Sequence, residues 1–163
     1  MQDIVVKDLY NRLIQLRNAF LQYQNDFNAI DNILRNNVFS DNSINVLRNI
    51  TFRYKLNDTT SKFISNIISD ITVVKEKYDA IKEKKSYLQN KLSILEDELK
   101  KRGLPSSNFV ISMRCNITSL NELNKYYKQL LEDEIRLNKI MSALNVEKQK
   151  EEESSITTLE EKV

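Results

Sequence analysis

A chain of 163 residues with 40% apolar and 29% charged positions carries enough apolar side chain for one core, and the charge content favours long solvated helices. Its 25 basic and 23 acidic residues are spread along the whole length and leave a net charge of +2, so it lacks the strong field that draws in nucleic acid or an anionic membrane. With no histidine, one glycine and one cysteine, the sequence excludes Ser-His and Cys-His nucleophile pairs, imidazole metal sites, phosphate loops, dinucleotide fingerprints and an intrachain disulfide.

The first residues contain Asp3 and no apolar run of leader length, and no window approaches the ~18 apolar residues of a membrane span, so neither export nor membrane insertion is expected. A first helix is predicted over residues 1–37. Val6, Leu9, Leu13, Leu16, Phe20, Tyr23, Phe27, Ile30 and Leu34 follow one another in steps of three and four, the a/d pattern of a heptad. Val5, Tyr10, Ile14, Leu21 and Ile33 widen that stripe, which suits a bundle with more than one neighbour better than a two-stranded coil.

Asn36, Asn37 and the polar run from Ser40 to Ser43 end this helix and supply N-caps for a short one spaced by Ile44, Leu47, Thr51 and Tyr54. A second cap candidate lies at residues 58–61. The seam then continues through Ile64, Ile67, Ile71, Val74, Tyr78, Ile81, Lys85, Leu88, Leu92, Leu95 and Leu99, so that residues 41–102 read as a short helix followed by a long coiled-coil helix. Gly103 marks its end, in the left-handed position only glycine takes cheaply, and Pro105 prevents the helix from resuming.

Residues 103–118 read as a loop in which Phe109, Val110 and Ile111 favour an extended backbone. Ser119 and Glu122 form a capping box that opens a last helix over 119–147. Its seam is Leu120, Leu123, Tyr127, Leu130, Glu134, Leu137, Met141 and Leu144, broadened by Tyr126, Leu131, Ile135 and Ile140, with Glu134 turning outward if the phase drifts toward Ile135. Residues 148–163 lose the stripe and read as a flexible tail in which Ser154, Ser155, Thr157 and Thr158 are candidate phosphate acceptors. Cys115 reads as a small buried hydrophobe, and the three Asn-x-Thr sequons at Asn49, Asn57 and Asn116 as accidents of an Asn-rich composition.

Forty-four residues at 1.5 Å each make a rod of about 65 Å, longer than a compact domain of this size accommodates. The fold expected is therefore all-α and elongated, with three to four helices, coiled-coil contacts and one or two helical hairpins, the last helix folding back on the long one across the loop. The loop and the last helix do not cover the whole of the long seam. Partner binding is accordingly assigned to Val6, Leu9, Leu13, Leu16, Phe20, Tyr23, Phe27, Ile30 and Leu34 in the first helix, and to Ile71, Val74, Tyr78, Ile81, Lys85, Leu88, Leu92, Leu95 and Leu99 in the long one.

Lysines at positions 75, 77, 82, 84 and 91 flank the seam, with Lys85 on it, so two parallel copies in register would repel. An acidic helix of another subunit, or the chain's own Glu132, Asp133 and Glu134 alongside, would relieve this. Partners are thus expected to be other helical subunits, with a hetero-oligomer favoured over a homodimer, and the chain alone is expected to fold poorly.

Adjacent carboxylates such as Glu96 and Asp97 diverge on a helix and cannot converge on a substrate, so no enzyme, cofactor, metal or small-molecule ligand is expected. In build, meaning length, periodicity and composition, the chain resembles the small helical subunits of eukaryotic kinetochore complexes, of the Mediator of transcription and of vesicle-tethering complexes. That resemblance implies a non-catalytic structural subunit inside the cell, with the kinetochore, chromosome segregation and the nucleus favoured over the cytoplasm. The alternative from another class is a basic helical module that binds nucleic acid through Lys75 to Lys85 and Lys100, Lys101 and Arg102; those lysines are interleaved with Glu76, Asp79 and Glu83 and lack an aromatic stacking platform.

Overall fold

In a computed structural model the described residues are 3–112 and 118–145; Cys115, the Asn116 sequon and the expected tail over 148–163 lie outside them. The described residues are all-helical, without a strand, in five helices: α1 (Val6–Ala19), α2 (Gln24–Arg35), α3 (Asp41–Arg53), α4 (Asp58–Lys101) and α5 (Leu120–Ala143). Five exceeds the expected three to four. The chain divides into two compact units, Met1–Ala80 with Asn116–Asn124 and Ile81–Cys115 with Lys125–Val163, so α4 contributes one part of its length to each.

In the first unit the predicted 1–37 helix is broken. The backbone turns at Phe20, whose N–H bonds Arg17 O, and Tyr23 N–H in turn bonds Phe20 O at 2.8 Å, tight i→i−3 links that abandon the α-helical ladder. Phe20, Tyr23 and Tyr54 pack as an aromatic trio with centroids 5.4–5.9 Å apart, and α2 packs on α1, which brings Arg17 to Asp31 at 2.9 Å. Leu9, Leu13, Leu16, Ile30, Leu47, Ile50, Ile64, Ile67 and Ile71 form the centre of one apolar core drawn from α1 to α4.

Local chemistry starts these helices where the sequence indicates. Ser40 caps α3, its hydroxyl accepting the Ser43 N–H at 3.2 Å. Asn57, one residue before the expected cap run, does the same for α4 by accepting the Thr60 N–H at 2.7 Å. Ser119 accepts the Glu122 N–H at 3.2 Å, as the capping box requires. A feature with no local signal joins the chain's start to α5: Val6 N–H bonds Thr118 O at 2.9 Å, Leu120 N–H bonds Ile4 O at 2.8 Å, and Asp3 caps the Asn121 N–H.

In the second unit Gly103 closes α4 as expected. Its φ is +69°, Leu104 N–H bonds Leu99 O at 2.9 Å and Gly103 N–H bonds Lys100 O at 3.1 Å, the paired bonds of a Schellman turn. A Cβ here would meet nothing within 4 Å, so only the left-handed backbone penalises substitution. Gly103→Ala should cost about 1–2 kcal/mol in a thermal melt, with Gly103→Asn milder; equal melts for both variants and the parent would mean the turn relaxes freely.

The last helix does not fold back. Lys84 on α4 meets Glu134 on α5 at 2.7 Å and Lys91 meets Asn138, so both helices ascend together and α5 runs parallel to α4 in this unit. The return is made by the extended backbone after Gly103. This corrects the expected hairpin: residues 107–112 already run back from Glu96 of α4 to Asp133 of α5 before the last helix begins.

The returning segment is fastened at both ends. Glu96 of α4 accepts the hydroxyl and N–H of Ser107, and Asp133 of α5 accepts the Ser112 N–H at 2.7 Å while Tyr126 donates to Ser112 O at 3.0 Å. The Ser107 hydroxyl is the main cause that holds the Glu96 carboxyl below its ordinary range. Asp133 is fully buried and is further satisfied by Arg136, which lies over the Phe109 ring. The buried stripe of α5 therefore passes through Tyr126 and Asp133, while Tyr127 and Glu134 are half-buried and Ile135 turns outward.

Candidate interaction surface

The residues assigned to partner binding fall mostly inside their own units. In the first unit Leu9, Leu13, Leu16, Phe20, Ile30, Ile71 and Val74 are buried; Val6, Phe27, Leu34 and Tyr78 are half-buried; Tyr23 is exposed. In the second unit Ile81, Leu88, Leu95 and Leu99 are buried, and Lys85 and Leu92 half-buried. Arg17 lies over the Phe27 ring and Phe39 packs on Tyr78, so even the half-covered aromatics are engaged within the chain. The heptad stripe is the core-facing stripe of the chain's own helices, because short helices and the return segment supply the cover that the sequence pattern left unassigned.

Several of the basic residues are likewise engaged. Lys84 pairs with Glu134 of the acidic segment named above, and Lys75 with Asp79 at 2.6 Å and Asp41 at 3.7 Å; the hydrogen bonds that Lys75 donates to Asp79 and Lys84 to Glu134 are the main cause that raises their pKa values. Arg102 pairs with Glu98 at 3.1 Å, and Lys84 and Lys91 lie against the Tyr87 ring.

The cores leave several large apolar side chains uncovered. On the first unit Phe52 is 83% exposed and Leu21 67%, with Tyr23 and Ile14 less so; on the second Val110 is 71% exposed and Ile135 56%, with Leu131 one turn before it. Phe52 edges a groove of about 470 Å³ between α3 and α4, lined also by Arg48, Thr51, Ser65, Ile68, Ser69, Thr72, Val73 and Glu76. Asp41 at the start of α3 meets Lys75 of α4 at 3.7 Å, and because only residues 54–57 join the end of α3 to the start of α4, the two helices are antiparallel neighbours. Thr51 and Thr72 donate their hydroxyl hydrogens to Leu47 O and Ile68 O of their own helices, at 3.0 and 2.8 Å, so the groove offers few free donors and is mainly apolar in character.

Sequence reasoning passed over this place because Phe52, Ile68 and Val73 lie off the heptad stripe. The available signal was an aromatic residue on the polar face of a short helix. No helix among the described residues is long and apolar enough to cross a membrane. No family model, curated protein or solved structure matches the chain.

Proposed function

We propose that this chain is a non-catalytic, all-helical subunit of a larger protein assembly, which holds its neighbours in place through helix contacts. The supporting observation is the set of large apolar side chains left on the surface after each unit has closed its own core, Phe52, Leu21, Val110 and Ile135 foremost. Scattered exposed leucines are ordinary on any protein; a solvent-facing Phe beside an open groove, and a Leu131/Ile135 pair one turn apart on α5, are the kind of surface that a partner helix covers. The partner surface proposed is thus these residues rather than the heptad seam.

Tagged full-length chain, purified from its own cells under gentle conditions, is expected to bring with it one or more other helical chains in stoichiometric amount. Those chains should remain in 0.5 M salt, because an apolar contact is little screened whereas a phosphate-driven one weakens steeply. Recovery of the chain as a lone monomer, or with nucleic acid lost on raising the salt, would overturn the reading.

A further inference from the structure

From the groove between α3 and α4 we infer that this is a docking site for one amphipathic helix of a partner chain, a helix that presents an aliphatic ridge flanked by an acid and a base about two turns apart. The inference rests on the functional reading above and adds where the partner sits and what it looks like.

Three features select a helix. The walls are two antiparallel helices, and a furrow between antiparallel helices receives the ridge of a third. Ser65 and Ser69, four residues apart on α4, are small and exposed, which lets a helix backbone approach closely. The apolar surface comes from Phe52, Ile68 and Val73, and with the Thr51 and Thr72 hydroxyls donating to their own helices the polar side chains left to meet a partner are Arg48, Ser65, Ser69 and Glu76.

Charge complementarity gives the partner's pattern. Arg48 and Glu76 lie on the groove's lining, both exposed and of opposite sign. With Asp41 beside Lys75, Arg48 falls opposite the region of Ile68, which places it about 12 Å along α4 from Glu76. A helix in the groove therefore meets the cation with an acidic residue and the anion with a basic one, seven or eight positions apart on one face.

The test uses the full chain in its own cells with the photoreactive residue p-benzoylphenylalanine in place of Phe52, and the cross-linked residue mapped by mass spectrometry. Attachment to a helix of another protein that bears an aliphatic ridge with an acid and a base two turns apart is the expected result. Phe52→Asp should then reduce recovery of that protein about tenfold or more, and Arg48→Glu should weaken it several-fold, with recovery restored by the reciprocal acid-to-lysine change in the partner. Attachment to a second copy, to this chain itself or to lipid, or no attachment at all, overturns the proposal. If the partner proteins still co-purify undiminished with Phe52→Asp, the groove is refuted and the assembly reading stands; if no protein co-purifies with the parent chain, the assembly reading has failed as well. Both substituted positions, Phe52 and Arg48, are solvent-facing, and an unchanged thermal melt of each variant verifies that folding is intact.

Discussion

Leu13→Ala in the isolated chain is expected to cost about 2–5 kcal/mol and to lower the melting temperature of the first unit by about 10 °C, with no partner present. Leu13 is fully buried in the cluster formed by α1, α2, α3 and the first part of α4, so truncation opens a cavity that the surrounding Leu and Ile side chains fill only in part. Ile14, one position on and 38% exposed, is the internal control, and Ile14→Ala should cost well under ~1 kcal/mol. The comparison decides between two accounts of the same heptad. If the stripe belonged to a partner, Leu13→Ala would leave the lone chain's melt unchanged and weaken only association. A core closed within the unit also predicts, against the expectation that the chain alone folds poorly, that the first unit melts cooperatively when the chain is purified by itself.

Much of the helical layout is legible in the sequence because its determinants are local. Ser40, Ser119 and Gly103 act on backbone groups within a few residues, and each sits at a helix end in the structure. The break at Phe20 was illegible for the opposite reason. Neither glycine nor proline marks it, and the three–four spacing runs through it undisturbed, since α1 and α2 each need an apolar face and Phe20 remains buried at the corner. What breaks the helix is tertiary, the packing of Phe20 and Tyr23 on Tyr54 more than thirty residues away. The direction of α5 was hidden in the same way: a loop length permits either a hairpin or a return, and only the Glu96, Asp133 and Tyr126 bonds to residues 107–112 choose. The groove depends on which side of α4 is left open once α3 has packed, and no single helix carries that information.

Asp26→Ala is the second substitution expected to act strongly, at about 2 kcal/mol, from hydrogen bonds to a charged group worth about 1.5–3 kcal/mol. Asp26 is 3% exposed in the first turn of α2, where the helix dipole favours a carboxylate, and it accepts from Arg53 at 2.5 Å and from the Tyr54 hydroxyl. The cost stays below the ~3–5 kcal/mol of a wholly buried ion pair because Arg53, 54% exposed, turns to water when its partner is lost. A pH dependence follows from the same geometry. The hydrogen bond to Asp26 is the main cause that raises the Tyr54 pKa above 10.0, since a phenolate there would face a carboxylate. The folded chain thus holds this proton more tightly than the unfolded one. The stability it lends is fully present below 10.0 and is lost as the pH rises through the raised value. Lys75 and Lys84, also raised, steepen the alkaline fall of every variant, so the informative quantity is a difference between proteins. Melting temperatures followed from neutral pH to above 10.0 should converge for the parent chain and Tyr54→Phe as the hydroxyl ionises, the parent losing the lead it holds at neutrality. Curves that stay parallel throughout would show that the Tyr54 hydroxyl contributes nothing at the corner where α1, α2 and α3 meet.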